Sequence, residues 1–315
     1  DTRDTGRTIA EIKRLEKAGS EIARVAVKDI AAARAIKIIK KKIKTPIVAD
    51  IHFDYRLALE AIKSGADKIR INPGNIWKAN ELKQIISSAK KRNISIRIGL
   101  NTGSLKKRAC EPSGLGMVNA ALKYIKFFEK ENFRDIIISL KSSNVEETVS
   151  AYKKLAGLCD YPFHLGVTAA GPYDTGIIKS SIGIGTLLLS GIGDTLRVSL
   201  TGDPIDEVIA AKRILRVLQL RNFGPDIISC PTCGRCQVDL PKIVDGLQEK
   251  LSTKRAIGIA VMGCEVNGPG EAKDADIGIA FGKKSGLLFK KGKVVKKVKA
   301  KNAVKELLTC AGHKL

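Results

Sequence analysis

At 315 residues the chain is too long for one small module and long enough for a large α/β unit plus a smaller second one. With 44% apolar residues, 4% aromatic ones, no basic-then-apolar start and a longest nearly uncharged stretch, SSIGIGTLLLSGIG, too short and glycine-rich to span a bilayer, it reads as a cytoplasmic protein with an Ile, Leu, Val and Ala core. The net charge of +24 invites a nucleic-acid partner, but runs such as KIIKKKIK and KKGKVVKKVKAKN mix lysine with apolar residues as solvated faces do, so nucleic acid is the less favoured partner.

Between residues 21 and 202 a short Ile- and Val-rich run, turn chemistry and a helical stretch recur. The runs are EIARVAV (21–27), PIVADIHF (46–53), DKIRINPG (67–74), ISIRIGLNTG (94–103), DIIISLKSS (135–143), FHLGVTAAG (163–171) and DTLRVSLTGD (194–203). RLALEAIKSG and NELKQIISSAKKR between them have helical spacing. This alternation predicts a parallel sheet of the TIM (β/α)8 barrel type. Only seven strands are visible, because the chain opens on a loop and a helix; a strand before Asp1, or another segment, would have to supply the first one.

DPIDEVIAAKRILRVLQL (203–220) reads as the last barrel helix, with Asp203 at its N-cap and Pro204 at the first helical position. RNFGP follows as a linker, which divides the chain into a barrel over 1–222 and a second α+β domain over 225–315. The second domain reads as an apolar run into a cysteine cluster, a helix, two strands, a basic hairpin and a C-terminal helix.

Parallel-barrel strands are buried on both faces, so charge within them needs a reason. Six runs carry polar groups expected in the later half of the strand: Arg24; Asp50 and His52; Arg70 and Asn72; Arg97 and Asn101; Ser139 and Lys141; Arg197 and Ser199. Barrel sites lie at C-terminal strand ends, and four arginines and a lysine converging there call for an anion, most naturally a small, multiply charged phosphate ester. The bland alternative is ion pairing with Asp50, Asp54 and Asp194. His52 and His164, taken singly, read as ordinary loop and core histidines.

Seven cysteines, four of them between 230 and 264, suit metal or redox chemistry better than a disulfide framework. Cys230 and Cys233 form C-x2-C, Pro231 is placed to start a helix, and Cys264 lies in the glycine-rich turn MGCEVNGPGE. A helix N-terminus and such a turn both supply N–H donors to a thiolate. Zinc is the default for Cys230, Cys233, Cys236 and Cys264, and a [4Fe–4S] cluster is equally compatible. Cys110, Cys159 and Cys310 read as ordinary small residues.

SCPTCGR, MGCEVNGPGE, VADIHFDYRLAL, IRINPGNI, IRIGLNTGSL, HLGVT and GIGDTLRVSL together resemble the 4-hydroxy-3-methylbut-2-enyl diphosphate synthase family of the non-mevalonate isoprenoid pathway, over essentially the whole chain. The resemblance implies a TIM barrel followed by a small iron–sulfur domain. It also implies a homodimer in which one subunit's cluster domain closes over the other's barrel. Cys230, Cys233, Cys264 and Glu271 are then the ligands of a [4Fe–4S] cluster, with Glu271 the labile one, and Cys236 is a departure from the usual pattern that does not ligate. Arg24, Arg70, Asn72, Arg97, Asn101, Lys141, Arg197 and Ser199 match diphosphate-binding positions. The implied reaction is the two-electron reduction of 2-C-methyl-D-erythritol 2,4-cyclodiphosphate, fed by ferredoxin or flavodoxin.

One position departs from that pattern. The family reads H-L-G-x-T-E-A-G, with a glutamate that engages a substrate hydroxyl or assists its protonation, whereas this chain reads HLGVTAAG, with Ala169 in its place. Slow turnover is expected. Two other readings stay open: a basic RNA-associated protein with a structural zinc site, and an inactive relative that keeps the cluster.

Overall fold

The computed structural model describes residues 1–104, 114–251, 257–266, 268–272 and 275–312. Cys110 lies outside them. The chain divides into two compact units, Asp1–Ile214 and Leu215–Leu315.

In the first unit strand and helix alternate: α1 (Thr5–Ala18), β1 (Ala23–Val27), α2 (Ile30–Lys40), β2 (Ile47–Ile51), α3 (Tyr55–Lys63), β3 (Lys68–Ile71), α4 (Ala79–Arg92), β4 (Ser95–Asn101), α5 (Leu115–Lys130), β5 (Ile136–Lys141), α6 (Val145–Ala156), β6 (His164–Leu165), α7 (Tyr173–Leu189), β7 (Thr195–Leu196) and α8 (Pro204–Val217). β1 to β5 pair in parallel in chain order, the Ile138–Phe163 bridge carries the series to β6, and β6 pairs with β7. Seven parallel strands in sequence are what the repeated runs predict, and the described residues of this unit contain no eighth. The last two runs are far shorter as strands than as sequence, two residues each.

Several helices start where the sequence provides a side-chain acceptor for their first N–H groups. Asp29, Asp54 and Asn144 accept from the backbone of Ala32, Arg56 and Glu147. Asp203 accepts from Ile205 ahead of α8. Along the strands two faces alternate. Ile69, Ile71, Ile96, Ile98, Leu100, Ile136, Ile138 and Leu140 form the apolar face and are buried. The opposite face carries the polar set.

Where β5 and β6 part, Tyr152 of α6 spans the gap. Its hydroxyl donates to the His164 carbonyl at 2.6 Å and accepts from the Leu140 N–H at 3.0 Å. Burial pushes this phenol up to about 12, so it stays protonated and able to donate.

The second unit is a mixed five-stranded sheet with order β12-β11-β10-β9-β8. Its elements are β8 (Asp226–Ser229), α9 (Leu240–Lys250), β9 (Gly258–Met262), α10 (Gly268–Ala272), β10 (Ile277–Phe281), β11 (Gly286–Lys290), β12 (Lys293–Val298) and α11 (Ala303–Cys310). β8, β9 and β10 are parallel, and β11 and β12 form the antiparallel basic hairpin. Ile259, Val261, Ile277, Ile279 and Phe281 pack with Leu247 and Leu307 from α9 and α11. Ala260, Met262 and Ala280 face Ala272 of α10 on the other side. The short α10 is the one element of this unit that the sequence reading passed over. Among the described residues no helix is long and apolar enough to cross a membrane.

Tyr152→Phe leaves the Leu140 N–H and the His164 carbonyl without a partner while preserving shape. We expect a loss of about 1–3 kcal/mol, read as a lower urea midpoint at unchanged m-value.

Candidate active site

Strand register brings the cations together. Asp50, Arg70 and Arg97 stand side by side on β2, β3 and β4, and Gly99–Ser139 and Asn101–Lys141 follow on β4 and β5. Partners in a parallel sheet share a face, so Arg24, Asp50, Arg70, Arg97, Ser139 and Lys141 line one inner surface. Their heights differ from expectation. Arg24 is the second residue of β1 and Arg97 the third of seven in β4, while His52, Asn72, Arg197 and Ser199 lie just beyond their strands. The side chains thus span several layers of the inner face. Asn72 also shapes its own turn, its Oδ1 accepting from the Gly74 N–H at 3.0 Å.

Two glycines make room for long cations. A Cβ on Gly99 would stand 2.3 Å from Arg70 Nε, and one on Gly166 would stand 2.6 Å from Lys141 Nζ. The Gly99 carbonyl also accepts from Arg70 Nη2 at 3.0 Å.

Among the described residues two carboxylates answer five cations. Asp50 lies 3.0 Å from Arg70, 3.6 Å from Arg24 and 3.4 Å from His52 Nε2. Burial raises its pKa, but Arg70, Arg24 and His52 outweigh that and hold the carboxyl below its ordinary value. Glu207, on the first turns of α8, grips Arg197 through two contacts of 3.1 and 3.3 Å and also accepts from the Leu200 N–H. Of the counter-ions expected from sequence only Asp50 serves here. Asp54 pairs with Arg56, and Asp194 accepts from the Phe163 N–H.

Arg97 and Lys141 are buried, and among the described residues neither has a carboxylate at ion-pair distance. Burial and repulsion from Arg24 bring Arg97 down to about 10; Arg24 falls to about 10 through burial and Arg197. Lys141 lies well below its ordinary value because it is buried and faces Arg97, Arg24, Arg197 and Arg70. His164 is held neutral by burial and by Lys141, with Nδ1 2.9 Å from Thr195 Oγ1, as befits a core histidine. His52 is half-exposed, with Nε2 beside Asp50.

Ala169 sits on the loop between β6 and α7, exposed and in left-handed backbone (φ 48°). The loop is tied to neighbouring strand ends: the Thr168 N–H donates to the Ser142 carbonyl and the Thr201 N–H to the Gly171 carbonyl.

In the second unit Cys230 directly follows β8 and Cys264 lies two residues past β9, and these strands are parallel neighbours. Pro231 does not open a helix; the segment from Cys230 to Asp239 is loop, and α9 begins at Leu240. The donor to sulfur is therefore a backbone amide of the other loop, with the Gly263 N–H 3.2 Å from Cys230 Sγ. A Cβ on Gly263 would stand 2.5 Å from Cys236 Sγ and 3.6 Å from Cys230 Sγ. Cys233 and Glu271 are exposed, and no disulfide joins the described cysteines. Among the described residues no three His, Cys, Asp or Glu side chains are gathered closely enough to hold a metal ion.

Two family descriptions match the chain: the GcpE TIM-barrel domain over residues 1–212 and the GcpE protein C-terminal domain over residues 226–312. A relative from Caldanaerobacter subterraneus subsp. tengcongensis, named 4-hydroxy-3-methylbut-2-en-1-yl diphosphate synthase (flavodoxin), is 54% identical over 98% of this chain and 88% of its own length. One of the same name from Fusobacterium nucleatum is 53% identical over 96% of this chain and 87% of its own. Among solved structures, a dihydropteroate synthetase matches the backbone with a TM-score of 0.51 at 10% identity, over 69% of this chain and 89% of its own.

Replacing Lys141 by methionine removes a buried cation without a carboxylate partner. Lys141→Met is expected to stabilise the phosphate-free protein by about 1–4 kcal/mol. It should also abolish the roughly 2.7 kcal/mol gained by the parent chain at inorganic pyrophosphate 100-fold above its Kd. Thermal melts with and without pyrophosphate check both outcomes. The parent's stability should rise with pH towards the ordinary lysine pKa, because the folded state holds this proton less readily than the unfolded chain, and the variant should lose that slope.

Proposed function

The chain belongs to the GcpE family, and on that premise we propose that it is a cytoplasmic oxidoreductase of isoprenoid biosynthesis that converts 2-C-methyl-D-erythritol 2,4-cyclodiphosphate to 4-hydroxy-3-methylbut-2-enyl diphosphate. The observation that carries this reading is the charge imbalance of the inner face, where Arg24, Arg70, Arg97, Lys141 and Arg197 meet, among the described residues, only Asp50 and Glu207. A diphosphate supplies the missing negative charge.

Overall, two electrons and two protons enter, the cyclic diphosphate opens and one hydroxyl leaves as water. Arg70 and Arg197, already aimed by Asp50 and Glu207, are fixed donors for phosphoryl oxygens. Arg97 and Lys141 bring charge that no described carboxylate neutralises, so their attraction is spent on the substrate and on the oxygen that leaves carbon. Asn72, Asn101 and Ser199 add neutral hydrogen-bonding groups at the strand ends. We assign residues 1–222 to substrate binding.

Residues 225–315 are read as the cluster domain. The donor chemistry of the second unit suits a [4Fe–4S] group: Cys230 and Cys264 follow two adjacent parallel strands, a backbone N–H already points at the Cys230 sulfur, and Gly263, without a side chain, leaves room beside Cys236 and Cys230. Cys230, Cys233, Cys264 and Glu271 would hold it. When bound, the cluster supplies single electrons passed on from a flavodoxin- or ferredoxin-type donor. The apolar outer residues Ile178, Ile182 and Leu189 of α7 are in keeping with a homodimer.

Anaerobic reconstitution with iron and sulfide tests the reading. A brown protein with about four irons, whose absorption or EPR signal changes on adding the cyclic diphosphate, supports it. A colourless protein retaining one zinc, with salt-dependent RNA binding, replaces it with the RNA-associated alternative. Cys236→Ser should keep the iron and Cys230→Ser should lose it.

Ala169→Glu restores a carboxylate on a backbone that already adopts the left-handed conformation, so glutamate adds no conformational cost beyond that of alanine. Steady-state turnover should rise by about 10²–10⁴-fold, and an unchanged rate would reject this assignment of the loop.

A further inference from the structure

The lysines of the second unit are not spread evenly. From Gly282 to Lys305 the chain carries ten lysines and no aspartate or glutamate. Lys283, Lys284, Lys290, Lys291, Lys293, Lys296, Lys297, Lys299 and Lys301 are all exposed on or beside the β11–β12 hairpin. Glu306 of α11 reaches Lys296.

Topology sorts these lysines into two groups. β9 and β10 are parallel, with Met262 opposite Ala280, so both strands deliver their C-terminal ends to the side where Cys264 lies. The Gly282–Ser285 turn follows β10 there, and a Cβ on Gly282 would stand 2.9 Å from the Glu265 carboxylate, next in sequence to Cys264. Lys283 and Lys284 are in that turn. β11 runs back from it and β12 returns, pairing Leu287 with Lys297 and Gly286 with Val298, so Lys297 and Lys299 rejoin the same end. Lys290, Lys291 and Lys293 belong to the hairpin tip, where the Lys291 N–H donates to the Asp276 carbonyl at the start of β10. Four residue steps of β10, about 13 Å, separate the two groups.

We propose that Lys283, Lys284, Lys297 and Lys299 form the docking surface for an acidic, one-electron-donating protein. The proposal rests on the reading of this unit as an electron-accepting domain and names the face through which it is fed. A surface of like charge with no acidic residue in its own segment selects a partner face rich in carboxylates, raises the encounter rate and loses its pull as salt is added. Its place at the Cys264 end brings the partner's redox group to the cysteines, which the tip lysines cannot do. The tip serves as an internal control with the same residue type on the same hairpin.

The test compares two triple variants of the full, reconstituted chain. Lys283→Glu, Lys284→Glu and Lys297→Glu alter the cysteine end; Lys290→Glu, Lys291→Glu and Lys293→Glu alter the tip. Binding of an acidic flavodoxin is measured directly by titration at low salt and at 1 M salt, and turnover is measured with flavodoxin and separately with a small viologen reductant. The cysteine-end variant should bind flavodoxin at least tenfold more weakly at low salt and raise its KM accordingly, with the difference gone at 1 M, where the screening length is about 3 Å. Its viologen-driven rate should stay within twofold of the parent, and the tip variant should stay within twofold throughout. Equal losses in both variants, or none in either, overturn the proposal. So does a cysteine-end variant that loses binding to RNA or anionic vesicles but not to flavodoxin. Absence of viologen-driven turnover in the parent rejects the functional reading instead, and the binding titration still decides the docking face.

Discussion

Five cations gathered on one surface, with Arg70, Arg97 and Lys141 buried, repel each other, and the first unit is organised around that repulsion. Asp50 and Glu207 neutralise part of it by taking Arg70, Arg24 and Arg197. What remains is concentrated on Arg97 and Lys141, whose proton affinities fall because burial denies them water and their neighbours share their sign. Such a surface is poorly stable by itself and becomes stable with a polyanion in place. Binding and stability are thereby linked through the same charges: a diphosphate that fills the surface also favours the protonated form of Lys141.

The supporting parts follow from this demand. A guanidinium that must hold one geometry needs a carboxylate behind it and space in front, and Gly99 and Gly166 provide the space on the neighbouring strands. Side-chain volume is withheld at these two positions so that it can be extended at Arg70 and Lys141. On the opposite strand face Ile, Leu and Ala are buried against the helices in the usual way, which leaves the inner face free to be polar.

Much of this was legible in the sequence because the two-residue period survives in it. Arg70 with Asn72 and Ser139 with Lys141 announce their shared face by spacing alone, and the seven apolar runs mark seven strands. The layer each residue occupies was not legible, because it depends on inter-strand register, which spacing within one strand does not encode. Glu207 was missed for another reason. An acidic residue in the first turns of a helix is read as favouring the helix dipole, and only the fold shows that it also grips Arg197. Pro231 misled in the opposite sense: proline suits a helix start, but the thiols need an irregular loop around Gly263, and the helix is deferred to Leu240.

The loop at Ala169 joins these arguments. Alanine gains nothing from a left-handed conformation, which costs an L-residue roughly 1–2 kcal/mol, and the residue is exposed, so packing does not recover that cost. The position is flanked by ties from Thr168 to Ser142, just past β5, and from Gly171 to Thr201, in the segment that follows β7. A backbone held this way presents whatever side chain stands at 169 in one fixed direction. Under the proposed reading the loop therefore keeps a backbone set for a carboxylate that this chain does not supply, apart from the cations assigned to a diphosphate.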